Sequence, residues 1–223
     1  MRARLSVIVP TRDAAVRLPV LLSGLMEGVE SGLIRELIVS DGGSGDATAR
    51  IAEEAGALWC EGPPSRGGQL RRGAELAGGE WLLFLHADTG LPVGWSGAVL
   101  TQMSDGRPGY FRLAFDARGL APWLVAGWAN LRSRLFHLPY GDQGLLISRI
   151  DYDAVGGYLD IPLMEDVAMA RRLGARLSVM PLTVLTSATR YRREGWLRRG
   201  ARNLSLLLRY LAGADPEDLR RRY

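Results

Sequence analysis

Four short apolar runs, Leu5–Pro10, Leu33–Ser40, Ala57–Cys60 and Trp81–Leu85, alternate with segments of helical spacing through residues 1–90. Buried strands separated by crossover helices produce that rhythm, which predicts an α/β fold around a central, mostly parallel sheet. Between the runs, Ala15 to Gly28 carries Val16, Leu18, Leu21, Leu22 and Leu25 at helical spacing. Ala47–Ala55 follows with Ser44 or Asp46 as its cap, and a third helix runs from the Gly62–Gly68 loop to Gly78. Each run ends in a polar loop: Thr11–Asp13, Asp41–Asp46, Pro63–Gln69 and His86–Thr89. In an open parallel sheet such carboxyl-end loops converge on one crevice, where ligands bind.

The second half changes character. Leu91–Met103 and Leu120–Phe136 have helical spacing, Tyr110–Phe115 alternates like a strand, and Gly144–Ser148 and Leu177–Leu185 read as further strands. Pro162–Leu173 leads into a helix, and Trp196–Leu211 is a basic amphipathic one. Trp123 and Trp128 share a helix with Leu120, Leu124 and Leu131 and are expected in the core. At 223 residues, with no repeat or low-complexity linker, the chain 1–223 is expected to form one domain, divided into 1–90, 91–190 and a basic tail, 191–223.

Cys60, the sole cysteine, excludes an internal disulfide. No stretch reaches the ~18 apolar residues of a membrane span. Leu5–Pro10 is too short for a signal-peptide core, so a cytoplasmic protein is expected. Every basic residue is arginine, and the formal charge of +4 is unevenly placed: ten arginines but only four acids follow residue 189. The last helix, with Arg198, Arg199, Arg202 and Arg209, reads as docked on the body or on the second copy of a homodimer. The sharper alternative is a helix lying peripherally on the inner face of an anionic membrane. A nucleic-acid partner is not expected.

The chemistry lies at the strand ends. Val9-Pro10-Thr11-Arg12-Asp13 closes the first run, and Val39-Ser40-Asp41-Gly42-Gly43-Ser44 closes the second. Asp41 would accept hydrogen bonds from a base or ribose, or would simply form the turn. Trp81–Leu85 runs into His86-Ala87-Asp88-Thr89, which puts a carboxylate just past a buried strand. A diphosphate-bound Mg²⁺ or Mn²⁺ needs only one or two protein carboxylates. Capping of the next helix by Asp88 is the weaker alternative, because Thr89, Gly90 and Pro92 intervene. Leu163-Met164-Glu165-Asp166 places two acids at a helix start, which the helix dipole favours with or without a catalytic task. Arg66 stands in a glycine-containing loop at another helix start, a natural anion site, and Arg190 and Arg192 follow the last strand.

Together these segments resemble the family 2 glycosyltransferases of the GT-A fold, over about Leu5 to Leu173. The resemblance extends to Ala77-Gly78-Gly79-Glu80 before the fourth run and to Val155-Gly156-Gly157-Tyr158 before the acidic pair. It implies a Rossmann-like nucleotide-diphospho-sugar transferase with a nucleotide-binding half, 1–90, and an acceptor half, 91–190. It implies that Pro10, Thr11 and Asp13 line the nucleobase and that Asp41 meets base or ribose. Asp88 would hold Mg²⁺ or Mn²⁺, and Asp166 would be the catalytic base with Glu165 beside it. Leu85-His86-Ala87-Asp88-Thr89 and Pro139-Tyr140-Gly141-Asp142-Gln143-Gly144 are similar to a short bacterial subgroup that includes arsenosugar-biosynthesis-type enzymes.

Where the family has Asp-x-Asp, this chain has His86-Ala87-Asp88, so His86 either donates to ribose or phosphate or packs at the strand end. Tyr140, Asp142 and Gln143 form the acceptor-side polar cluster. No Gln-x-x-Arg-Trp motif of the processive synthases is present. The expected reaction is one inverting, metal-dependent transfer from a nucleoside-diphosphate sugar, uridine favoured, to an acceptor hydroxyl. Arg66 and the metal would stabilise the diphosphate, and Asp166 would take the proton. A nucleotidyltransferase would carry a glycine-rich phosphate loop after the first strand, and Pro10-Thr11-Arg12-Asp13-Ala14-Ala15 has no glycine. A non-catalytic nucleotide-binding protein would not need both Asp88 and Glu165-Asp166.

Overall fold

The structure, a computed structural model, describes residues 4–221; residues 1–3 and the last two of the arginine-rich tail, Arg222 and Tyr223, lie outside them. The strands are β1 Leu5–Thr11, β2 Ile34–Asp41, β3 Leu58–Glu61, β4 Trp81–Phe84, β5 Gly109–Phe115, β6 Leu145–Ser148 and β7 Ser178–Thr186. They form one seven-stranded sheet in the order β3-β2-β1-β4-β6-β5-β7. β3, β2, β1 and β4 pair in parallel, as do β5 and β7. β6 runs antiparallel between β4 and β5 and so stitches the two halves into one sheet.

The helices are α1 Leu18–Glu30, α2 Thr48–Glu54, α3 Arg66–Leu76, α4 Trp95–Asp105, α5 Leu120–Phe136, α6 Arg149–Ala154, α7 Glu165–Leu173, α8 Thr189–Glu194, α9 Trp196–Leu211 and α10 Pro216–Arg220. Because side chains alternate along a strand, the sheet carries a core on each face. Val7 and Val9 of β1 and Leu83 of β4 pack with residues of α1, α4 and α5. Ile8, Leu82 and Phe84, from the same strands, pack with α3 and α7 on the other face. Strands buried on both sides read as continuous apolar runs, as β1 and β4 do, whereas β3 is a half-exposed edge strand.

Several elements differ from the sequence reading. α1 begins at Leu18 rather than near Ala15, because the β2–α2 connection holds the preceding segment in a loop: Ala14 N donates to Thr48 Oγ1 at 2.8 Å and Ala15 N to Asp46 Oδ2 at 3.0 Å. Ser44 does not cap α2, since its hydroxyl is spent on Asp41; Asp46 instead accepts from Thr48 N at 2.9 Å. α4 starts at Trp95, not Leu91, where Glu27 accepts from Gly94 N and Ser96 N. The short helices α6, α8 and α10 were not anticipated.

α5 has the expected limits but the opposite orientation. Pro122, Ala126, Ala129 and Ser133 face inward, while Trp123 and Trp128 are 69% and 46% exposed. Polar side chains set this rotation. Asn130 donates to Leu113 O at 2.9 Å and accepts from Leu113 N at 2.8 Å, satisfying β5. Ser133 donates to Gln143 at 2.6 Å. Turning the tryptophans inward would leave those groups buried without partners, at a cost of roughly 1–3 kcal/mol each.

Candidate active site

The carboxyl ends of β1, β4 and β7 and the loops before α3 and α7 surround a cavity of about 820 Å³. Pro10, Thr11, Asp13, Arg66, His86, Asp88, Tyr140, Asp142, Glu165 and Asp166 all line it, residues up to 156 positions apart in the chain. Asp41 and Gln143 do not.

At the end of β1, Thr11 donates its hydroxyl to Asp41 Oδ1 at 2.7 Å. Asp41 is fully buried and also accepts from Gly43 N, Ser44 N and the Ser44 hydroxyl at 2.6–2.7 Å. With these four hydrogen bonds, Asp41 holds the loop together behind the cavity wall. Asp13, exposed with φ of +49°, reaches across to the same loop: Oδ1 accepts from Gly45 N at 2.9 Å, and its own N–H donates to Ser44 Oγ at 2.8 Å. Gln69, which the sequence reading passed over, is buried and lines the cavity. Its Nε2 donates to Thr11 O at 2.7 Å and Ser40 O at 3.0 Å, tying the ends of β1 and β2 together. Its only sequence signal is a polar residue on the inward face of a helix.

Arg66 opens α3, capped by Ser65, whose hydroxyl accepts from Gly68 N at 3.3 Å. The next residue packs so closely on the loop before α7 that a Cβ on Gly67 would lie 1.9 Å from Leu159 O, and Gly67 N donates to Ile161 O at 3.1 Å. This junction sets Arg66 Nε 3.6 Å from Glu165 Oε1. Glu165 is 1% exposed, and its Oε2 has no partner. Burial first, then the charge of Asp166, raises its pKa to about 8 against the pull of Arg66. Glu165 is therefore largely a neutral acid at neutral pH.

Asp166 behaves differently. It is part-exposed on the cavity wall, where Oδ2 accepts from Gly141 N and Oδ1 from Val167 N, both at 2.7 Å. Met164, just before the pair, has φ of +67°, a left-handed conformation that costs a non-glycine residue about 1–3 kcal/mol and that recurs at functional sites. Gly141 is hemmed in from two directions: a Cβ there would meet His86 Nε2 at 2.7 Å and Asp166 Oδ2 at 3.6 Å. Desolvation, then Arg66 and Arg190, hold the His86 pKa well below its ordinary value, so the imidazole is neutral.

Tyr140 lies under the Arg132 guanidinium, 3.4 Å from the ring centroid, and burial raises its pKa, so it stays a phenol. Gln143 is fully buried: Nε2 donates to Phe111 O at 3.1 Å, and Oε1 accepts from Ser133. It braces the Tyr140–Gly144 turn from behind and does not line the cavity. Asp142 does, with Oδ1 buried and unpartnered. Burial raises its pKa to about 6, with Asp166 and Asp88 adding to the rise and Arg132 opposing it. Arg190 lines the cavity; Arg192 does not, and donates instead to Asp116 O at 3.0 Å.

Among the described residues no three His, Cys, Asp or Glu side chains converge as a metal cage. A metal–diphosphate does not require one. Asp88 on the cavity wall, with the unpartnered Oδ1 of Asp142 close enough to feel its charge, is a donor set that fits such an ion.

The Glycosyl transferase family 2 model matches residues 6–125, more than half of the chain. No curated protein sequence matches. Among solved structures, S. aureus TarS 1–349 superposes with a TM-score of 0.64 at 17% identity, over 83% of this chain and 60% of that one. The chain thus spans about 60% of that fragment. Glucosyl-3-phosphoglycerate synthase from Mycobacterium tuberculosis, in complex with Mn²⁺, UDP and glucosyl-3-phosphoglycerate, gives 0.58 at 19% identity, covering 82% of this chain and 71% of that one. Mannosyl-3-phosphoglycerate synthase from Rubrobacter xylanophilus gives 0.59 at 17%, covering 91% and 72%. At these identities the superpositions establish the fold alone.

Proposed function

The chain belongs to glycosyl transferase family 2, and on that premise we propose that it transfers one sugar from a uridine-diphosphate donor to an acceptor hydroxyl, with inversion at the anomeric carbon. One observation carries this reading: the loops at the sheet's carboxyl edge place Asp88, Arg66 and Asp166 around a single cavity. Its volume suits a nucleotide-sugar and an acceptor together. That Mn²⁺ and UDP occupy the M. tuberculosis structure supports the same donor class and a divalent metal here.

Thr11 and Asp13, held by the Asp41 loop, would border the base and ribose. Asp88 would hold Mg²⁺ or Mn²⁺, with Asp142 as the second oxygen donor; such an ion would supply positive charge to offset the charge growing on the departing diphosphate. Arg66, at the start of α3, adds fixed positive charge to the same end of the cavity. His86, kept neutral, can donate one hydrogen bond to a ribose or phosphate oxygen without adding charge. Asp166, oriented by two backbone N–H groups, accepts the acceptor's proton as the hydroxyl oxygen attacks the anomeric carbon and the diphosphate leaves from the opposite face.

Proton NMR of a panel of UDP-sugars incubated with the protein and Mn²⁺ tests this without knowledge of the acceptor, because water can accept slowly. From an α-linked donor, UDP should be released and the free sugar should appear first as the β-anomer. First appearance of the α-anomer would show that inversion is wrong.

A further inference from the structure

α5 and α9 are adjacent helices whose outward faces are apolar. On α5, Leu120, Trp123, Leu124, Trp128, Leu131 and Leu135 form one exposed stripe, while Arg132 and Ser133 are buried beneath it. That reverses the usual arrangement of a surface helix, which hides its apolar stripe and shows its polar one. α9 packs against α5 and repeats the pattern: Leu206 and Leu207 are buried, while Leu197, Leu204, Leu208 and Leu211 point outward, Leu197 at 83% exposure. Contiguous apolar surface of this kind marks a binding face.

Charge decides what the face binds. Neither α5 nor α9 contains a single acid. Arg134 on α5 and Arg198 and Arg209 on α9 are exposed beside the leucines and tryptophans. A second copy docking through the same face would bring these arginines against their own counterparts, with no carboxylate on either helix to offset them. A bilayer with anionic headgroups complements both parts: acyl chains receive the leucines, the interfacial zone suits tryptophan, and headgroup phosphates meet the arginines. No helix among the described residues is long and apolar enough to cross a membrane, so the contact would lie in the interface plane.

We propose that the α5–α9 face docks the protein peripherally on an anionic lipid surface. The inner side of α9 contributes Arg199, Asn203 and Leu206 to the cavity wall, so one helix serves as wall on one side and lipid contact on the other. An acceptor anchored in that surface would then reach the cavity from its edge.

Co-sedimentation of the full chain with vesicles tests this. The protein should pellet with phosphatidylcholine–phosphatidylglycerol vesicles, remain in the supernatant with phosphatidylcholine alone, and be released from the former by about 1 M salt, where the screening length falls to about 3 Å. The double variant Trp123→Ser/Trp128→Ser should lose apolar contact, and Arg198→Glu/Arg209→Glu should lose charge contact, each lowering partitioning on the order of tenfold or more. Both variants should keep wild-type UDP affinity, which shows that they fold. Wild-type protein that ignores anionic vesicles, or variants that fold and bind them unchanged, would overturn the proposal. So would a sedimentation-velocity dimer that the tryptophan variant dissociates, since a second copy would then cover the face.

Discussion

Glu165 and Asp166 are neighbours in sequence with different surroundings, and the difference separates their roles. Asp166 has its carboxylate on the cavity wall, held by the N–H groups of Gly141 and Val167. Asp166→Asn preserves shape but not basicity, so UDP binding should survive while transfer falls roughly 10²–10⁴-fold, the usual contribution of a general base. Loss of UDP binding together with activity would make Asp166 a structural residue instead. Glu165 is buried with a pKa of about 8, above its ordinary 4.5. Between those values the folded state binds more protons than the unfolded one, so this residue makes stability decline as pH rises from about 5 to about 8. Glu165→Gln has no proton to lose and should flatten that decline. Thermal unfolding of both proteins across this range checks it, and parallel curves would mean that Glu165 is not buried as a neutral acid.

At the scale of elements, the junction between α3 and the loop before α7 positions Arg66 against Glu165, and Gly67 makes it possible. Gly67→Ala would drive a methyl into Leu159 O. The expected cost is about 1–3 kcal/mol or more in urea unfolding, together with weaker UDP binding as Arg66 moves. A variant as stable as wild type would show that the two segments are not in contact. The sequence could reveal that a glycine-containing loop opens α3, but not that Leu159 lies over it, because this contact joins segments 92 positions apart. The same limit explains α5. Its ends were readable from leucine and tryptophan spacing. Its rotation was not, because the residues that decide it, Asn130 and Ser133, answer to β5 and to the Tyr140–Gly144 turn.

Across the whole molecule, the strands were legible from their apolar runs or alternation, the clearest being the buried β1 and β4, and the polar ends of the first four indicated the cavity. The order in which β6 inserts antiparallel between β4 and β5 was not legible, because it depends on pairing between distant segments rather than on pattern. Asp41 and Gln143 read as ligand-facing because their neighbours are polar; only the fold shows that Asp41 closes a loop on itself and that Gln143 spends its amide on Phe111 and Ser133. Asp88 is the carboxylate through which, in the proposed reaction, a metal would hold uridine diphosphate in the strand-end cavity. Calorimetric titration of UDP into wild-type protein and Asp88→Asn, each with Mn²⁺ and with EDTA, tests it most directly. Wild-type affinity should be at least about tenfold, or roughly 1.4 kcal/mol, higher with Mn²⁺, and the difference should disappear in the variant. Equal wild-type affinity with Mn²⁺ and with EDTA would contradict it.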